Sequence, residues 1–294
     1  MTLEEFAEKS QLSPEEFSAL QEILKDPELV SLAHQIAKQC FIPEKPGEGP
    51  TITDDAKRGQ AWFAASYFGV KAAKEHYRKQ GIPPEVLYDT MTDVTAWLRN
   101  SKRNYGVFGL CYAGPWQAAL YHGEIVRRGR LECNLQQFYN GPELRDKNGE
   151  IPVREGDPVI QLHIPEDGPM DLESCGRSLK QMAEFFAEVL PDYDWKGFHC
   201  VSWIFDPQIL PMFPSYSNVL KFYRLGYSYP VDIATDTKFR IFGTFDPDKV
   251  ENPTSLQRKA AEFLRNGGVF KEGGLFIPRA ETEAVDFDLE KLLK

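Results

Sequence analysis

The chain has 294 residues, 42% of them hydrophobic and 27% charged, and carries a formal net charge of −10. That length can bury a large core and has room for two domains. The acidic balance argues against a nucleic-acid partner, because phosphate binding needs clustered Lys and Arg, and no apolar run reaches the ~20 residues of a membrane span. The opening Met-Thr-Leu-Glu-Glu-Phe is acidic and has no signal-peptide core. The five cysteines, Cys40, Cys111, Cys133, Cys175 and Cys200, form no CxxC pair. A reduced cytoplasm is the expected home.

In chain order, the first hundred residues read as helices. Ser13-Pro14-Glu15-Glu16 combines an N-cap, a first-turn proline and a capping-box glutamate. Asp26-Pro27-Glu28 and Thr53-Asp54-Asp55 repeat the pattern, and Pro83-Pro84-Glu85 opens a helix running towards Arg99. The prolines and glycines of residues 41–50 make a loop. Leu131 onwards partly alternates like a half-buried strand, and Asn148-Gly149 predicts a hairpin before Pro158.

The central stretch, residues 158–227, is the most ordered in pattern. An apolar strand over 159–164 breaks into the turn Pro165-Glu166-Asp167-Gly168-Pro169. Apolar positions Cys175, Leu179, Met182, Phe186 and Val189 then build one helical stripe, with Asp171 as cap and Pro191 past the end. Residues 197–205 are apolar on both faces, as a covered central strand is. Strand, crossover helix and strand form a parallel pair. A short helix follows and closes in Leu225-Gly226-Tyr227. Residues 238–245 alternate as a strand, and Thr254-Ser255-Leu256-Gln257 opens a helix ending at Gly267-Gly268. The fold class is α/β (α+β): a helical domain over 1–125, then a mixed sheet flanked by helices over 126–294.

On Arg130-Leu131-Glu132, His163-Ile164-Pro165, Ser202-Trp203, Ser217-Asn218 and Thr254-Ser255-Leu256-Gln257-Arg258, the chain resembles a bacterial acyltransferase-like family. That family joins a helical N-terminal domain to a C-terminal domain of the GNAT-type N-acyltransferase fold. The resemblance implies that two central strands splay apart, so that the pantetheine arm of an acyl-coenzyme A pairs with exposed backbone at Gln161, Leu162 and Ile164. It places the pyrophosphate near residues 166–171, including Gly168 and Asp171, with Arg177 as a compensating cation and Asn218 beside it. The acceptor would be an amine on a small molecule or peptide, with neither nucleic acid nor membrane as partner.

Two positions depart from that pattern. The phosphate loop is acidic and flanked by prolines, which have no N–H to donate. The residue four before the glycine of the Leu-Gly-aromatic ending, where the family has its general-acid tyrosine, is Phe222, with Tyr223 beside it. An acyl-transfer base should titrate near ~7. His163, at the carboxyl end of the strand where ligands bind in open sheets, is the expected base. Glu166 and Tyr223 complete the catalytic candidates. A core histidine and ordinary turn carboxylates are the bland alternatives. His199 and Cys200 have no metal-ligand spacing with His163 or Cys133. The competing expectation is a binding protein on the same scaffold that has lost coenzyme A.

Overall fold

Side-chain caps start the helices of the first half. The computed structural model describes residues 1–145, 148–150, 152–233, 237–244 and 246–282. Thr2 and Ser13 hydroxyls accept from the amides of Glu5 and Glu16, whose carboxylates reach back to the cap amides, so α1 (Leu3–Lys9) and α2 (Pro14–Ile23) open with capping boxes. Asp26 caps α3 (Pro27–Ile36), and Asp54 caps the 25-residue α4 (Asp55–Lys79). Trp62, Phe63, Val70 and Tyr77 of α4 are core residues, as are most of its alanines. The helix expected from Pro84 to Arg99 is two. The Thr92 hydroxyl takes the Asp89 carbonyl at 2.6 Å, ending α5 (Pro84–Met91), and the chain re-enters helix as α6 (Asp93–Tyr105). After α7 (Gly114–Tyr121) come β1 (Ile125–Arg128) and β2 (Leu131–Gln137), antiparallel, with Arg128 opposite Leu131. Gly129 supplies the positive φ of +69° that this two-residue turn requires. The hairpin expected at Asn148-Gly149 is a different one. At that site Asp146 and Lys147 lie outside the described residues, and no described strand adjoins the dipeptide.

Contacts divide the chain into two units: Met1–Asn134 with Ile164–Gly168, and Leu135–His163 with Pro169–Lys294. The second is built on β3 (Pro158–His163), α8 (Leu172–Val189) and β4 (Gly197–Ser202), the parallel pair and crossover helix expected. α9 (Asn218–Tyr223), β5 (Tyr227–Val231), α10 (Thr237–Phe242), α11 (Ser255–Arg265), β6 (Glu272–Pro278) and α12 (Arg279–Thr282) follow. The strand order is β3-β4-β6-β5, with β6 antiparallel to both neighbours, so the sheet is mixed.

Three sequence expectations fail here. β5 and β6 were not foreseen. The strand over 197–205 stops at Ser202 and tightens into a 3₁₀ turn, Trp203–Phe205. Residues 237–242 are helix α10 rather than strand: Ile241 and Phe242 are buried with Ile209, Ala260 and Phe270, and that packing overrides the alternation. Phe245 lies outside the described residues. Among the described residues no helix is long and apolar enough to cross a membrane. All five cysteines are buried and none is in a disulfide among the described residues.

Candidate active site

β3 and β4 run side by side only at their amino ends. Lys196 donates to the Pro158 carbonyl at 2.8 Å, and the ladder continues through Ile160–Phe198 and Gln161–His199. There it stops, although β3 runs on to His163 and β4 to Ser202. β4 meanwhile stays paired with β6 as far as Ser202–Gly273. The two strands therefore part beyond residues 161 and 199. Beyond that register no further β3–β4 pairing is found among the described residues, and strand backbone left unladdered there could pair with another extended chain.

Alternation along each strand fixes what lines one face of this fork. Gln161 and His163 share that face with His199, Gln161's partner across the ladder. His199 is wholly buried, and its Nε2 lies 2.7 Å from the Tyr229 hydroxyl. Tyr229 reaches it by lying across Gly274, where a Cβ would come within 2.2 Å of the ring. Phe138 and Tyr139 close over the imidazole, with ring centroids 4.8 and 5.4 Å away, and the Gln161 amide holds the Tyr139 hydroxyl at 3.0 Å. The same Phe138 and Tyr139 line an open cavity of about 450 Å³ with Gln136, Gln137, Glu155 and Gly156. His199 Nδ1 is buried with no hydrogen-bond partner among the described residues. A buried polar atom left so is costly, and in enzymes it often marks a group awaiting substrate.

Desolvation pulls the pKa of His199 down to about 4, so the ring is neutral at pH 7. The Tyr229 hydroxyl is pushed far above its ordinary value by burial first, then by Cys200, Tyr139 and Tyr223 nearby. In the tautomer whose Nε2–H donates to the Tyr229 oxygen, Nδ1 carries the lone pair. Gly274→Ala should drive Tyr229 off this position. The overpacking is expected to cost about 1–3 kcal/mol, read as a lower urea midpoint with unchanged m-value. An unaltered midpoint would contradict the close approach.

The structure places the sequence candidates as follows. His163 is half-buried at the end of β3, its pKa also lowered to about 4 by desolvation. It is a weaker base than the near-neutral group expected, and by the same measure so is His199. Tyr223 is half-buried at the end of α9, with its ring 5.1 Å from Phe205. It bears electrostatically on Tyr229 and so belongs to the same cluster. Phe222 is fully buried. Glu166 pairs with Arg103 at 2.8 Å and accepts from Asn100. Asp167 is 2.5 Å from Arg127, and Arg130 donates to the carbonyls of Pro165 and Gly168. The turn's acids therefore face arginines.

The remaining cofactor candidates serve the helices first. Asp171 caps α8, accepting from Ser174 N at 2.9 Å, a bond that also lowers its pKa. Arg177 pairs with Glu173 and donates to Ser174 Oγ. Asn218 opens α9 behind the Ser217 cap. A Cβ at Gly168 would meet nothing within 4 Å, so that side of the turn is open. Gln161 and Leu162 stand at the fork, and Ile164 follows it in the chain. The residues missed were Tyr139, Tyr229 and the role of His199. Their alignment depends on strand register, which composition does not carry.

This mixed sheet, parting at a parallel pair with a crossover helix between, is an acyltransferase-type architecture. Residues 1–123 match the N-acyltransferase N-terminal domain, and residues 125–276 match the GNAT-like C-terminal domain. The chain belongs to the family that carries this GNAT-like C-terminal domain. No curated protein matches it. Among solved structures it is similar to an acyltransferase in complex with CoA and 10C-teicoplanin, at 22% identity, 94% coverage of this chain and 87% of the other, and TM-score 0.69. An acyltransferase mutant in complex with octanoyl-CoA is 21% identical, with the same coverages and TM-score. An acyltransferase in complex with decanoyl-CoA is 20% identical, covering 95% of this chain and all of the other, with TM-score 0.61.

Proposed function

We propose that the protein is an acyl-coenzyme A-dependent N-acyltransferase whose thioester arm ladders into the fork between β3 and β4. The observation that carries this is the end of pairing at Gln161–His199 while both strands continue. The family, and the acyl-CoA bound to similar structures, support it. The amine nitrogen attacks the thioester carbonyl, forming the C–N bond and breaking C–S. The nitrogen's proton passes to His199 Nδ1 and then to the departing thiolate. Tyr229 holds the ring through Nε2 and steadies the imidazolium as it forms, a positioning partner of the kind nucleophile–base pairs use. His163 lies two residues beyond Gln161 on the same face of β3. The acceptor is an amine on a small molecule or peptide; one similar structure holds teicoplanin.

The reading as a binding protein without coenzyme A drew on the acidic turn, whose carboxylates the arginines of the β1–β2 hairpin and α6 now occupy. Thermal unfolding decides between the two. Decanoyl-coenzyme A at a hundred times its dissociation constant should add about 2.7 kcal/mol. No stabilisation by octanoyl-, decanoyl- or acetyl-coenzyme A would refute the transferase.

A further inference from the structure

Three helices of the amino-terminal unit end at one place, and a histidine stands among them. α3 runs on without a break into a π-helical turn, Ala37–Phe41, a form found most often at functional sites. α4 ends at Lys79 and α7 at Tyr121, with His122 as the carboxyl cap of α7. His122 is 4% exposed. Its Nδ1 lies 2.7 Å from the Ala118 carbonyl, in the last turn of α7, and its Nε2 lies 2.8 Å from the Pro43 carbonyl, just past the π turn. The Gln80 amide donates to the His122 carbonyl at 2.6 Å and to the His76 carbonyl at 3.2 Å.

Carbonyl oxygens only accept, and a neutral imidazole has one N–H and one lone pair. Both contacts of His122 are hydrogen bonds only if both nitrogens carry hydrogen, which makes the ring an imidazolium. His76 lies against it, ring centroids 4.5 Å apart, and needs hydrogen at Nε2 alone to meet the Phe41 carbonyl at 2.8 Å. The charge therefore belongs to His122. Backbone balances it: each helix carboxyl end carries about half a negative charge, and three such ends converge here. Around the ring, Lys79 of α4 and Glu44 of the loop are exposed and pair with each other at 3.3 Å. Lys38 of the π turn and Glu124 beyond the cap are exposed. Burial raises the Cys40 thiol above its usual value and pushes the phenols of Tyr77 and Tyr121 far above theirs, so these groups stay neutral.

We propose that His122 is a pH-sensitive latch: as a buried imidazolium it joins the end of α7 to the segment that follows the π turn, and as a neutral ring it lets go of one of the two. The latched segment folds back on the π turn, with Ile42 donating to the Ala37 carbonyl at 3.0 Å and Gly47 to the Gln39 carbonyl at 2.9 Å. The sign is that of a group whose partners need it protonated. The fastening is complete at low pH and is lost as pH rises, because the departing proton leaves a lone pair facing a carbonyl oxygen. Opening frees residues 42–47, of which all but Pro43 are already exposed on their outer side. Nothing in this depends on acyl transfer.

The test uses the full chain without any acyl-coenzyme A. Heteronuclear NMR of the imidazole rings should show hydrogen on both nitrogens of His122 at about pH 5 and on only one at about pH 9, a span that brackets ordinary imidazole titration. Amide exchange at Ile42 and Gly47, corrected for its ordinary acceleration by base, should quicken about tenfold or more across that span, the loss of one hydrogen bond from a charged donor. His122→Gln, with a single side-chain nitrogen, should exchange fast at every pH and show no step. His76→Gln, which keeps a donor for Phe41, should keep the step. Should His122→Gln fail to fold, the two wild-type measurements decide alone. A His122 ring with a lone pair throughout, exchange at both amides without a pH step, or a step that survives in His122→Gln overturns the proposal.

Discussion

Exchange of His199 for glutamine is expected to lower kcat by about 10²–10⁴-fold, the range a positioned general base supplies. Acyl-coenzyme A should still stabilise the variant against heat, because the strand edges that hold the arm are untouched. The pH dependence discriminates further. A ring whose pKa is about 4 is neutral at every pH of interest, so it is always able to accept. Only the incoming amine then titrates: kcat/KM should rise tenfold per pH unit up to the amine's own pKa. An inflection near 6.5 that disappears in His199→Gln would mean an ordinary, hydrated imidazole and would undo the buried dyad. Tyr229→Phe keeps the packing and loses only the hydroxyl, so a smaller loss of rate is expected from it. His163→Ala losing as much rate as His199→Gln would move the base from β4 to the end of β3.

Replacing Arg127 by methionine should destabilise the protein by about 3–5 kcal/mol, the cost of leaving a buried charge without its partner. Asp167 would retain only Arg130 at 3.4 Å, with Glu132 still beside the vacated space. Glu132→Gln should do the opposite. It removes a buried acid whose pKa desolvation raises, so the stability lost by the wild type at high pH should be recovered.

The sign follows from the shifts. Asp93 and Glu132 have raised folded-state pKa values, so their contribution is present below the unfolded value near ~4 and is lost as pH rises through about 6 and beyond, roughly 3 kcal/mol for Asp93 alone. His199 behaves inversely. Its folded pKa is depressed to about 4, so its contribution is present above ~6.5 and is lost on acidification, again roughly 3 kcal/mol. Between pH 6.5 and 4 the unit holding β3 to β6 should therefore weaken while the helical unit firms. Hydrogen exchange resolved by segment reads this directly; parallel loss in both units would refute it.

What the sequence disclosed was local. Capping boxes at Ser13 and Thr254 need three residues of context, and both form. The stripe of α8 and the apolar runs of β3 and β4 likewise announce themselves by period, and the parting of β3 from β4 followed from the family resemblance. Hidden were the features made by distant partners. β6 pairs on both edges through Gly273 and Gly274, residues that read as loop. The carboxylates of the turn looked unaccompanied because Arg103 lies 63 positions away from Glu166. His163 drew attention by standing at a strand end, whereas His199 gains its role from a tyrosine 30 residues later. α10 misled because a short alternating run carries no record of what will bury it.

The polypeptide passes from one unit to the other and back before settling: residues 164–168 of the sheet-forming half are counted among the contacts of the helical half, together with 1–134. Chimaeras that join the amino-terminal half of one relative to the carboxy-terminal half of another at residue 124 would thus set Asp93 and Gln117 from one parent against Glu132 and Asp167 from the other. Grafts of this kind should tolerate foreign acceptor-side loops far better than a foreign hairpin. Exchanges meant to alter substrate choice should carry 89–134 and 164–168 as one inherited block.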